Sequence, residues 1–402
     1  MRILLFSPRD CWPADTGARL RDFHLARELA LREKLTYLGF ERDNPSPSKS
    51  VQHIKAGPAG ELDCVLLPPP VRFSTGGLVR GLIGPLPISV LNYQNEMMQA
   101  ELRRLVHSEN FDLVQMEGVN LIEYLPILRS APRPPVVIAD WHNIESELLE
   151  RYAEGSRNLA RSFYARRSAH LLVKTENRLF QVADAHVVCS ERERQRLLER
   201  ATKARVGVVG NGVDVDFYAG AASTGGQDLV FVGSMDYHAN VDAAGHFAHQ
   251  ILPLLSGRKF LIVGARPTKQ VEALAELPGV VVTGTVPDVR PYYRDAFAVV
   301  VPLRIGGGTR LKILEAMAAG VPVVSTRLGA EGLEAIAGVH FLQAEEPEDF
   351  RDAVVRLNDP GEWQRLAAAG LELVRSRYDW PMLGDELHRF YLEVLGNRKS
   401  GG

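Results

Sequence analysis

The chain is poor in cysteine. Three residues, Cys11, Cys64 and Cys189, make an odd number with no CxxC or paired spacing, so neither a disulfide framework nor a cysteine zinc site is supported and a reducing cytoplasm fits. Long hydrophobic runs are missing too. The opening MRILLFSPRD holds an apolar stretch of about five residues, too short for a signal-peptide core and better read as a first strand, and nothing is expected to span a membrane. Net charge is small, with 47 Lys and Arg against 49 Asp and Glu, and no nucleic-acid partner is expected. Phosphate-loop motifs are absent as well: there is no GxxxxGK[ST], and no GxGxxG follows the first strand, which disfavours a dinucleotide dehydrogenase.

What the chain does have is length and a repeated alternation. Its 402 residues suit two domains of roughly 150 to 200 residues. With 46% hydrophobic and 24% charged residues, it reads as ordinary globular protein. Short apolar runs recur between helical patterns: RILLFS, KLTYLGF, DCVLLP, LVQME, VVIAD and AHVVCS, then LVFVGS, KFLIVG, VVVTGTV, AVVVPL, VPVVST and HFLQA. Runs this short and unalternating suit strands buried on both faces of parallel sheets. The fold class is therefore α/β with two Rossmann-like doubly wound domains, residues 1–207 and 228–377, and a cleft between them. The small, turn-forming residues of 208–227 read as the linker. A last helix over 378–396 carries Leu383, Leu387, Phe390, Tyr391 and Leu395 on one stripe.

The stretch RIGGGTRLKILEAMAAGVPVVST, residues 304–326, places a glycine-rich loop after the strand AVVVPL and ahead of a helix stopped by Gly320 and Pro322. Glycines let backbone N–H groups approach an anion, the helix N-terminus adds positive partial charge, and Arg304, Arg310 and Lys312 add full charges. A phosphate or pyrophosphate is the expected guest. On spacing alone Glu315 is open between two readings: a carboxylate accepting ribose hydroxyls, or an i,i+3 ion pair with Lys312. The DVD at 214–216 is explained by a turn. Arginines and lysines interleaved with aromatics over 161–180 leave association with a membrane surface open beside the plainer reading of a solvated helix flank.

Taken together, PADTGARLRDFHLARELA, ADWHNIES, NGVDVDFY, FVGSMDYHANVDA, the GGGTRLKILEAMAAG stretch and YDWPML resemble the retaining, nucleotide-sugar-dependent glycosyltransferases of family 4, with the GT-B fold. Bacterial transferases of exopolysaccharide and surface-glycan clusters are the nearest in character. The resemblance implies an acceptor-side first domain, a nucleotide-sugar-binding second domain and a C-terminal helix crossing back to the first. It implies donor-binding roles for Gly17, Gly233, Ser234, Thr285, Val286, Arg304, Gly306, Gly307, Gly308, Thr309, Leu311 and Glu315. His142, at the end of VVIAD, matches the family's active-site histidine and would orient the sugar or acceptor, while Arg310 and Lys312 would meet the charge of the departing diphosphate. Two departures stand out: Gly307 occupies the place of a family glutamate, and the cations often found after VG are replaced by Ser234 and Ala239.

The implied reaction is metal-independent transfer with retention, from a nucleoside-diphosphate sugar to a glycan, lipid-linked or small-molecule hydroxyl, in the cytoplasm or at the inner face of the membrane. The donor is a substrate and no cofactor is expected. Competing readings are a nucleotide-sugar hydrolase or epimerase of the same fold and a non-catalytic nucleotide-binding partner protein.

Overall fold

The computed structural model describes residues 1–14, 16–41, 50–57, 60–69, 75–155, 159–219, 225–306 and 311–400. The chain forms two compact units: Met1–Gly210 together with Leu383–Gly402, and Asn211–Met382.

The first unit is built on β1 (Arg2–Phe6), β2 (Lys34–Phe40), β3 (Ser50–Gly57), β4 (Gly60–Leu67), β5 (Leu113–Glu117), β6 (Val136–Trp141), β7 (Ala185–Val188) and β8 (Val206–Val208), in the order β3-β4-β2-β1-β5-β6-β7-β8. All neighbours are parallel except the β3–β4 pair. Strands such as Ile3-Leu4-Leu5-Phe6 are apolar throughout because helices cover both faces, leaving each of these side chains buried. Strand order reverses between β1 and β5, and the carboxyl ends there form the crevice where open α/β sheets take ligands. Ser7, Glu117 and His142 sit at or just after those ends.

The final helix, Trp380–Ser400, completes this unit from residue 383 onward. Leu383, Leu387, Tyr391 and Val394 are buried. Val394 takes the last place on the stripe, where Leu395 is only half-buried. Close approach is set by two glycines. A Cβ at Gly207 would lie 2.9 Å from the Phe390 ring, and one at Gly384 would collide with the side chain of Glu28. Arg32 to Asp385 at 2.6 Å and His388 to Glu33 at 2.7 Å fasten the outer side. Cys11 and Cys64, 53 residues apart in the chain, bring their free thiols to 4.0 Å in the core, a proximity created by pairing of distant strands and invisible to spacing rules.

The second unit carries a parallel sheet of β9 (Asp228–Val232), β10 (Phe260–Val263), β11 (Val280–Gly284), β12 (Ala296–Val301), β13 (Val323–Ser325) and β14 (Leu342–Gln343), ordered β11-β10-β9-β12-β13-β14. Its reversal lies between β9 and β12. The described part of 208–227 is more than a connector: Val208 closes β8, while Val213, Val215 and Tyr218 are buried in the second unit's core and Val213 bridges to Asp379. Where a turn was expected, the DVD opens a short helix, Val215–Ala219, with Asp214 accepting from the Phe217 N–H at 2.9 Å as its cap. Gly320, at φ +66, ends the helix Leu311–Ala318 in the left-handed conformation that glycine adopts without strain.

Candidate active site

At the first unit's crevice, His142 Nε2 lies 2.9 Å from Glu117 Oε2 and 3.2 Å from Asp22 Oδ1. Asp22 reaches this point from the first helix, Gly17–Ala30, where its Oδ2 accepts from Ser7 Oγ at 3.0 Å and Tyr37 OH at 3.2 Å and meets Arg9 at 3.4 Å. Glu117 Oε1 accepts from Gln115 Nε2 at 2.6 Å, and Gln115 in turn donates to Asp140 Oδ2 at 3.0 Å. Arg21, wholly buried, pairs with Asp140 at 3.0 Å and donates to the carbonyls of Val209 and Gly210, both at 2.8 Å. Tyr391 of the final helix donates to Gln115 Oε1.

These bonds set the protonation states. Burial works against the His142 cation, but the two carboxylates overcome it and raise its pKa to about 9. Burial drives Glu117 up to about 7, with Asp140 and Asp22 adding to the effect. Asp22 is buried as well, yet Arg9 and His142 hold it down at about 2. His142 is thus an imidazolium clamped between carboxylates. Asp22, Glu117 and His142 are also the one group among the described residues whose potential ligand atoms all lie within 4.8 Å. The imidazolium proton already serves both carboxylates, and Arg9 adds a second positive charge on Asp22.

In the second unit the loops after β9, β10 and β12 share one edge. Gly233 is hemmed in: a Cβ there would lie 2.7 Å from Asn240 Nδ2 and 3.2 Å from Lys312 Nζ. Asn240 donates to the Ser234 carbonyl at 2.9 Å and accepts from Lys312 at 2.7 Å, while Lys312 also sits 4.3 Å from the Phe231 ring centroid. Gly306, at φ +107, passes so near Ala239 and Tyr237 that a side chain would not fit. Glu315 accepts from Tyr293 OH at 2.8 Å, and Tyr218 packs edge-on against that ring. Burial raises the Glu315 pKa, with the tyrosines and Lys312 opposing. The even choice between ribose acceptor and ion pair thus resolves into separate hydrogen-bond partners, Asn240 for Lys312 and Tyr293 for Glu315.

The remaining candidates scatter more widely. Gly17 is the exposed first residue of its helix, capped by Thr16, whose side chain accepts from the Arg19 N–H. Arg304 pairs with Asp242 at 2.6 Å, as Arg266 does with Asp236. Thr285 is exposed and Val286 half-buried after β11, the edge strand. Leu311 packs half-buried on the core. Gly307, Gly308, Thr309 and Arg310 lie outside the described residues.

Sequence reasoning missed Asp22, Glu117, Asn240, Tyr293 and Arg266. Arg266 adopts φ +53, uncommon for a residue with a side chain, and places its guanidinium 2.6 Å from Asp236 Oδ2 and 2.8 Å from Ser234 Oγ. An arginine two residues after the VG of β10 thus reaches the loop that follows β9. That signal was available. Glu117, the last residue of LVQME, was also available as a strand-end carboxylate; Asp22 carried none.

Residues 61–217 match the family model described as Glycosyltransferase Family 4, and residues 226–359 match that described as Glycosyl transferases group 1. Sucrose synthase of Thermosynechococcus vestitus is 41% identical over 78 residues, 17% of this chain; the match spans only 10% of that relative's length. Among solved structures, sucrose-phosphate synthase from Thermosynechococcus elongatus aligns over 99% of this chain and 100% of its own, with a TM-score of 0.68 at 17% identity. Anabaena HepE in complex with UDP and glucose aligns over 96% and 98%, at 0.62 and 15%. An α,α-trehalose-phosphate synthase (UDP-forming) from Burkholderia xenovorans, in complex with glucose-6-phosphate, aligns over 97% and 99%, at 0.64 and 13%. At these identities the structural likeness is one of fold, and the family models carry the activity: the chain belongs to the family 4 glycosyltransferases and has the GT-B fold.

Proposed function

We propose that the protein transfers a sugar from a nucleoside diphosphate to an acceptor hydroxyl with retention at the anomeric carbon and without a metal ion or cofactor. The observation that carries this reading is the edge of the second unit, where the glycine at 233 lets the backbone lie close to Asn240 and Lys312 and the buried Glu315 is held by Tyr293. A carboxylate accepts both hydroxyls of a ribose, and Lys312 with the loop amides meets a diphosphate. Arg266, beside Ser234, is the further cation we assign to the phosphates. The solved relatives in complex with UDP are consistent with such a donor.

In the first unit the two carboxylates stand behind His142, with side-chain exposures of 1% for Asp22 and 4% for Glu117 against 13% for His142. A double displacement needs a carboxylate at the anomeric carbon. Their burial favours instead a front-face displacement, in which the acceptor hydroxyl gives its proton toward the departing phosphate. His142 Nε2 is occupied by the carboxylates, and the imidazolium orients substrate through Nδ1.

Thermal-shift titration with UDP, GDP and ADP, followed by product analysis with the matching nucleotide sugars, tests the reading. One nucleotide should stabilise the protein, and its sugar should be transferred with retention in the presence of EDTA. No stabilisation by any nucleotide would sink it; loss of turnover in EDTA would remove the metal-independent part. Donor consumed at full rate with no acceptor would turn the reading to hydrolysis or epimerisation.

A further inference from the structure

A second cavity in the first unit lies apart from the His142 cluster but is joined to it by chain. It has a volume of about 620 Å³, within the range of small-molecule sites. β5 ends at Glu117, and three residues on Asn120 lines this cavity; β6 leads to His142, and three residues on Glu145 lines it too. Glu145 lies within electrostatic reach of both His142 and Arg9.

The walls are mixed in a particular way. Ile88, Leu149 and Leu172 supply aliphatic surface, and Tyr93, Tyr152 and Tyr164 supply rings. Among them lie Ser89 Oγ and Asn120 Oδ1, screened from solvent and without a hydrogen-bond partner, and Tyr164 OH and Ser168 Oγ, which have only each other. Ser168 is 2% exposed. A buried polar atom without a partner is costly to leave so, and these atoms give one cavity several points of hydrogen-bonding capacity open to a ligand. A serine hydroxyl reaches a new partner by one χ1 rotation.

Exposed apolar side chains occur on the neighbouring helices. The helix Thr75–Ile83 backs the cavity: a Cβ at Gly81 would lie 3.1 Å from both Ile88 Cβ and Tyr164 OH. Its outer side exposes Val79 (55%) and Ile83 (75%), and the adjoining helix Leu159–Val182 exposes Phe163 (66%). Arg167, one of the cations that suggested a membrane surface, instead donates to the Leu82 and Gly84 carbonyls at 3.1 and 3.2 Å and ties the two helices together.

We infer that this cavity binds the acceptor, and that the acceptor is an amphiphilic alcohol whose apolar body, prenyl, alkyl or aryl, fills the cavity. A bare oligosaccharide would find polar partners at a few points only and would leave Ile88, Leu149, Leu172 and the tyrosine rings without an apolar neighbour. An apolar body buries favourably there, while Ser89, Asn120 and Ser168 give a few polar points of registration. The assignment of the occupant as acceptor rests on the transferase reading above; the occupancy itself is tested without a donor, so the two fail separately.

The test is calorimetric titration of the full chain, with no nucleotide present, using farnesol, 2-naphthol and methyl α-glucoside. Farnesol or 2-naphthol should bind with Kd below about 1 mM and methyl α-glucoside should not. Farnesol binding the tighter points to a lipid-borne acceptor, 2-naphthol to a soluble aromatic one. Ala165→Phe, which fills the cavity, should raise that Kd at least tenfold. Ser168→Ala guards against misfolding of the larger variant: it removes only one small polar group, whose partner is Tyr164, so Tm should change by a few degrees at most while Kd rises severalfold. Binding of neither apolar probe, equal binding of methyl α-glucoside, or an unchanged Kd in a folded variant would overturn the inference.

Discussion

His142 shows how a single residue can be placed by sequence and yet explained only by its neighbours. Its proton is held by Asp22 and Glu117, and this makes stability depend on pH in a definite direction. A histidine raised from 6.5 to about 9 contributes stability that is complete below 6.5 and lost as pH climbs through 9. Glu117, raised from 4.5 to about 7, acts in the same direction between those values. Asp22, lowered from 3.8 to about 2, contributes above 3.8 and loses its share as pH falls through 2. The melting temperature should therefore fall between pH 6.5 and 9, with His142 contributing at most about 1.4 kcal/mol per pH unit. His142→Gln should flatten this slope; an equally steep decline in the variant would show that the proton lies elsewhere. His142→Ala should cut kcat on the order of a hundredfold while leaving nucleotide binding intact, measured by separate turnover and thermal-shift assays. On the second unit, Tyr293→Phe removes the donor to Glu315 and should weaken nucleotide binding several-fold, at a stability cost of about 1 kcal/mol. Both His142 and Glu315 were legible because each sits in a local pattern. Asp22 and Tyr293 were not, since each reaches its partner from another element.

At the scale of elements, apolar runs announced the parallel strands because burial on both faces leaves a mark in every residue. Glycines mark less clearly. Nothing local distinguishes Gly384, which lets the final helix press on Glu28, from Gly396, whose Cβ would meet nothing within 4 Å. Gly384→Val should accordingly lower stability by about 1–3 kcal/mol through overpacking, whereas Gly396→Val should change it by only the small amount typical of a surface site. Denaturant midpoints for the pair decide this. The same limit applied to Ala316 and Ala319. Small residues beside Lys312 and Glu315 would leave room for a ligand if they faced outward, but both are buried in the core.

For the whole molecule, two units with separate cores predict two calorimetric transitions. The nucleotide recognised by the donor site should raise one of them and leave the other unchanged. A variant at Lys312 should abolish that rise, and one at His142 should not. If both transitions rose together in the parent protein, the units would not unfold independently and the assignment of donor binding to one of them would need another probe.

The return of residues 383–400 to the first unit bears on how the protein is made. Val187 of the sheet, Gln115 of the hydrogen-bond chain and the groove beside Gly207 emerge from the ribosome long before Leu387, Tyr391 and Phe390. The first half of the nascent chain therefore waits, with apolar surface uncovered, while about half the protein is still being translated, and the later unit can finish folding before the earlier one. A chain arrested at residue 382 should yield a protease-resistant fragment from the second unit and rapid digestion of the first, so that residues 383–400 decide when the first unit becomes resistant.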